Sequence, residues 1–136
     1  MLRDAPLIGA ILLAGAAAGC GASPGPVEVH YSSMADVRSA DGGAQSWIPA
    51  WIPSRATGIA IKYDQDTNAR ILRFDLGGAP LPPGSCAPGE PATAPPGLRA
   101  GWFPHHPVGE QQLNCDANAT SVVVAGDTAY AWSPGG

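Results

Sequence analysis

Asp64, Asp66 and Asn68 have the most suggestive spacing for chemistry, a D-x-D-x-N run of the kind that places oxygen ligands around one calcium ion. Asp75 even falls at the twelfth position of such a loop. The sixth position, however, is Ala69 rather than glycine, Arg70 follows it, and the flanking residues alternate as strands do. Asp and Asn also accept backbone hydrogen bonds in turns. The run is therefore expected to be a polar hairpin tip, and no metal or other cofactor is expected. His105 and His106 are adjacent between two prolines with His30 far upstream, a spacing that suits an exposed loop better than a zinc site. No serine sits in a Gly-x-Ser-x-Gly context, and nothing singles out an acid–base pair from Asp64, Asp66, Asp75, Glu90, Glu110 and Asp116. Gly77-Gly78 lacks the lysine and helix of a phosphate loop. These observations point away from catalysis and leave a small envelope enzyme as an alternative only. Trp102 and Phe103, in a Pro-rich stretch, are the side chains expected to be exposed and to contact a ligand, because aromatic rings form sugar-stacking faces and protein hot spots.

The compartment follows from the N-terminus. A short start with Arg3 leads into an apolar, Gly- and Ala-rich run over 7–18, then small residues before Cys20. That run is about a dozen residues where a bilayer span needs roughly 20, so it suits an export leader over 1–19 rather than a permanent membrane helix. Ala17-Ala18-Gly19-Cys20 resembles the lipobox of bacterial lipoproteins. The resemblance implies that Cys20 is lipidated, that the acyl chains hold the protein to a membrane, and that 20–26 is a tether. Ordinary signal-peptidase cleavage at Ala16-Ala17-Ala18 is the rival to lipidation, and it would release a freely secreted interaction protein, such as an inhibitor presenting the loop between Cys86 and Cys115.

Outside the cytoplasm thiols persist as disulfides. Cys86 and Cys115 are the natural pair: they lie 29 positions apart and bracket a Pro-rich stretch with little means of holding itself in place. Redox catalysis is disfavoured, since no Cys-x-x-Cys occurs. A formal net charge of -4 with no block of Lys or Arg leaves no electrostatic footprint for nucleic acid. The remaining partners are a membrane, through the lipid, and an envelope ligand or protein of unknown identity.

The elements that must position these residues are short, because 18 Gly and 15 Pro in 136 residues commit much of the chain to loops. Val27, Val29 and Tyr31 alternate with polar residues as a half-buried strand. Ser33 with Asp36 suits the start of a helix that buries Met34 and Val37 and is ended by Gly42-Gly43. Prolines 49 and 53 exclude a regular helix around Trp47-Ile48 and Trp51-Ile52, whose side chains are expected to plug the core. Residues 57–63 and 70–76 alternate on either side of the Asp64–Asn68 tip, one hairpin; 121–133, with a Gly126-Asp127 turn, is a second. The expectation is a single α+β domain over 27–136: a small antiparallel sheet of two hairpins, one N-terminal helix and a disulfide-bracketed Pro-rich loop.

In order along the chain, Trp47-Ile48-Pro49, Trp51-Ile52-Pro53, the Asp64-Gln65-Asp66-Thr67-Asn68 tip, Arg73-Phe74 and Ala129-Tyr130-Ala131-Trp132 resemble motifs of small uncharacterised bacterial lipoproteins and membrane-anchored proteins. This resemblance covers about residues 31–133. It implies an exported, anchored binding or structural module and carries no catalytic residue.

Overall fold

The computed structural model describes residues 25–40 and 42–135. The expected leader and Cys20 lie outside the described residues. Seven strands, β1 (Val27–Ser33), β2 (Thr57–Asp64), β3 (Ala69–Asp75), β4 (Cys86–Pro88), β5 (Gln111–Cys115), β6 (Thr120–Ala125) and β7 (Thr128–Ser133), form one antiparallel sheet in the order β1-β2-β3-β7-β6-β5-β4. This corrects the α+β expectation. Helix α1 (Met34–Ser39) has six residues and is the one α-helix among the described residues, so the domain is nearly all-β. Both expected hairpins form, and β3 pairs with β7 to merge them into one sheet. The span around the second hairpin adds β4 and β5, which carry no alternation to announce them. They are strands because β6 offers a ladder for β5, and β5 in turn pairs with β4.

Local chemistry explains the joints. Ser33, extended at φ -153°, caps α1 by accepting the Asp36 N–H at 3.2 Å, and Met34 and Val37 are buried. The helix ends at Ala40, before the two glycines, and the chain then makes a 3₁₀ turn over Gly43–Trp47. Between Thr57 and Ala60 the β2–β3 register shifts at Gly58, whose φ of 57° supplies the left-handed residue of a bulge. Gly126, at φ 64° in the first place of a two-residue loop, suits the β6–β7 turn.

Strand alternation sends side chains to two cores. Ile59, Ile61, Leu72, Phe74, Val122, Val124, Ala129 and Ala131 face one side, covered by α1 and by the Trp47–Pro53 strip, where Trp51 and Ile52 are buried as expected. Ile71, Val123 and Trp132 face the other side, where Phe103 and the Pro-rich segment 89–110 cover them. That segment is sewn down by polar contacts from the sheet. Ala92 N–H donates to Asn114 Oδ1 at 2.9 Å, Asn114 Nδ2 to the Glu90 carbonyl at 2.8 Å, Trp132 Nε1 to the Ala94 carbonyl at 2.9 Å and Lys62 Nζ to the Arg99 carbonyl at 2.7 Å. Cys86 and Cys115 are directly opposed on β4 and β5 and joined by a disulfide, as expected. Among the described residues no helix is long and apolar enough to cross a membrane.

Candidate functional site

At the end of the sheet where the β2–β3 and β5–β6 loops emerge, the core-facing row turns polar. The register runs from Val27 to Tyr63, Arg70 and Ser133, then to Thr120, Cys115 and Cys86. Arg70 is two residues before Leu72 and four before Phe74, so alternation puts its guanidinium on the core face. Thr120 and Ser133 share that face with Val122 and Ala131 for the same reason.

Arg70 is the centre of the resulting network. Nη1 donates to the Trp47 carbonyl at 2.8 Å, and Nη2 donates to Thr120 Oγ1 at 3.2 Å and to Asp116 Oδ2 at 3.4 Å. Burial depresses the Arg70 pKa below the usual guanidinium value, and the Asp116 charge opposes that shift only in part. Asp116 is well supplied. Trp51 Nε1 donates to both carboxylate oxygens at 3.1 Å, and Thr120 Oγ1 donates to Oδ2 at 2.9 Å. Thr120 and Ser133 hydroxyls are 3.0 Å apart, and Ser133 Oγ also donates to the Ala119 carbonyl at 3.0 Å. The fully buried Thr120 hydroxyl is thereby satisfied.

Over this floor lies a cleft of about 970 Å³, walled by Trp47, Ile48 and Pro49 on one side and by Asn68, Thr93 and Ala119 from three loops on the others. Its aromatic wall is fixed: the Trp47 ring stacks on Tyr63 at 4.7 Å and 20°. The β5–β6 loop is also held in an uncommon shape, with Asp116, Ala117 and Asn118 all left-handed at φ 54°, 54° and 74°. Asp and Asn visit that region readily; alanine does so at a cost of about 1 kcal/mol. Asn68 is left-handed as well, at φ 65°. Strain of this kind gathers where a loop is held for a purpose. A single cation beside a single carboxylate, with hydroxyls, an amide and a flat ring around them, can bind and orient a polar ligand.

Of the candidate residues read from the sequence, Asn68 and Asp116 line the cleft and the others fall elsewhere. At the β2–β3 tip Asp64 Oδ1 accepts the Asp66 N–H at 2.9 Å and the Asp64 carbonyl accepts the Asn68 N–H at 2.8 Å, the expected local turn bonding. Asp75 is at the opposite end of β3, about 20 Å away at strand rise, where it accepts the Thr128 hydroxyl at 2.9 Å. No group of three His, Cys, Asp or Glu side chains suited to a metal occurs among the described residues. His105 and His106 rim a small pocket with Arg99 and Phe103, whereas His30 Nε2 lies 2.8 Å from Glu28 Oε2.

The expectation of an exposed Phe103 is corrected. Its ring is 4% exposed and packs edge-on against Tyr130 at 5.6 Å and Trp132 at 6.4 Å, because β3, β6 and β7 turn a second apolar face that needs a cover. Trp102 is half-buried and donates from Nε1 to Glu28 Oε2 at 3.0 Å, which pins the segment to the edge strand. Sequence reasoning had no place for Arg70 in a site. The available signal was its parity: a charged residue in step with Leu72, Phe74 and Leu76 must point where they point.

A family model described as the YbbD head domain matches residues 25–75, where this chain is similar to that family. The matched stretch holds β1, α1, the Trp strip, β2 and β3, and so supplies Trp47, Asn68 and Arg70 to the cleft; Thr93, Asp116, Thr120 and Ser133 come from beyond it. No curated protein and no solved structure matches the chain.

Proposed function

We propose that this protein is an exported binding module of the cell envelope, held on the outer side of a membrane by a lipid on Cys20, and that it meets its ligand at the cleft over Arg70. The disulfide between Cys86 and Cys115 carries this reading. A bond between two buried cysteines on paired strands belongs to an oxidising compartment, and the apolar run before Cys20 is the means of reaching one. The resemblance to small bacterial lipoproteins and the similarity to the YbbD head domain are compatible with such a module. The cleft supports binding rather than catalysis, since its one carboxylate is already engaged by an indole, a hydroxyl and a guanidinium.

Metabolic labelling with palmitate tests the anchor. Label on the native protein that disappears in Cys20→Ser supports it, whereas label that survives the substitution, or no label at all, overturns it. Ordinary cleavage at Ala16-Ala17-Ala18 is the second reading. It expects an unlabelled protein in the medium with the same disulfide. An inhibitor presenting the Cys-bracketed loop has less support, because Phe103, at the centre of that loop, is spent on the sheet.

A further inference from the structure

We infer that the cleft over Arg70 takes an acidic saccharide, with a sugar carboxylate set against the guanidinium and a pyranose face against Trp47. This inference rests on the reading of the chain as an exported binding module and names the ligand class of that same cleft.

Three features converge on it. The first is charge. Arg70 is desolvated on the core face, and its acidic contact is a single oxygen at 3.4 Å, long for a charge-assisted hydrogen bond. That oxygen also accepts the Thr120 hydroxyl. A guanidinium offers five donors in a planar fork, and three are spent among the described residues. The floor therefore retains donor capacity for one more anionic oxygen, and Asp116 is not free to swing away because Trp51 holds both its oxygens.

The second feature is the wall. Trp47 is stacked on Tyr63, so its indole is a rigid plate that a sugar ring can meet without further ordering cost. The third is the rim, where Ser46, Asn68, Thr93 and Ser133 place short hydroxyl and amide groups around the plate. The Ser46, Thr93 and Ser133 hydroxyls already bond to the Gly43 carbonyl, Ser121 Oγ and the Ala119 carbonyl, and each keeps a lone pair that can accept from a ligand covered in hydroxyls. One cation cannot hold a polyphosphate or a nucleic-acid backbone, and one committed carboxylate cannot hold a divalent cation. A peptide C-terminus would also bring a carboxylate, but it would leave the hydroxyl-rich rim without a counterpart.

The test is a titration of the full exported protein, followed by tryptophan fluorescence and calorimetry, with three probes: a trisaccharide of uronic acids, the neutral trisaccharide of the same linkage, and triglycine. The uronic trisaccharide is expected to bind in the millimolar range or tighter, about tenfold more tightly than the neutral one. Arg70→Gln removes the charge and should erase that preference. Asn68→Gly keeps a residue suited to the left-handed backbone, so it should fold normally and still weaken saccharide binding by about threefold. Equal affinity for acidic and neutral sugars overturns the role of Arg70. Tighter binding of triglycine, or no binding of either sugar by a protein that melts cooperatively, overturns the saccharide assignment. These outcomes are independent of palmitate labelling: a labelled protein that ignores sugars refutes this inference alone, and an unlabelled one that binds them refutes only the anchor.

Discussion

Arg70→Lys is the substitution that weighs the polar end of the sheet. The guanidinium spans three acceptors on separate elements, the Trp47 carbonyl at 2.8 Å, Thr120 Oγ1 at 3.2 Å and Asp116 Oδ2 at 3.4 Å. A lysine ammonium on its flexible stem reaches one of these at a time. If it keeps Asp116, the Trp47 carbonyl and the buried Thr120 hydroxyl each lose a charged donor. Hydrogen bonds to charged groups are worth about 1.5–3 kcal/mol each. Thr120 keeps Asp116 and Ser133 as partners, so most of the loss falls on the Trp47 contact, and about 2 kcal/mol is the expected total. The Asp116 contact adds little to that sum, because Asp116 is 38% exposed and water screens it. With a urea m-value of about 1–2 kcal/mol per M, the unfolding midpoint should fall by roughly 1–2 M. Urea unfolding followed by tryptophan fluorescence reads this directly. A shift below about 0.3 M would mean that the guanidinium only decorates the surface, and the account of this end of the sheet would be wrong.

Further outcomes follow from other parts of the structure. Replacing Cys86 and Cys115 together by alanine reopens a loop of 29 residues, and chain entropy puts the loss at about 3–4 kcal/mol; equal urea midpoints for the variant and the oxidised protein would refute this. Ala117→Gly relieves an alanine held at φ 54° and should raise stability by about 1 kcal/mol, read as a higher melting temperature. Hydrogen bonds from His30 and Trp102 hold the Glu28 carboxylate below the usual range. A depressed folded-state pKa gives stability that is present above the unfolded value and lost as pH falls through the folded one, so the Trp102 contact should loosen as acid brings the solution below the usual carboxylate range. With the Glu28 side chain 41% exposed, water screens it and the effect is well under 1 kcal/mol, visible as a fluorescence change of Trp102 that Glu28→Gln removes. Trp102→Ala should weaken this pin while leaving the Phe103 packing and the cooperative melt in place.

What the amino-acid sequence determined by itself was local. Period-two alternation over 57–63 and 70–76, the Asp-rich tip and the Gly126-Asp127 turn define two hairpins, because side-chain parity and turn chemistry act between near neighbours. Ser33 capping α1 belongs to the same class. The pairing of Cys86 with Cys115 was also legible, once the expectation of an export leader set Cys20 apart. Tertiary structure decided the rest. Pairing of β3 with β7 joins the hairpins, and β4 and β5 become strands because a ladder awaits them. A sheet with two apolar faces then needs two covers, which is why Phe103 is drawn inward from a loop that reads as exposed. The cleft has the same origin: Arg70, Asp116, Thr120 and Ser133 are strangers in sequence, and only the register of strands far apart along the chain sets them in one row beneath Trp47.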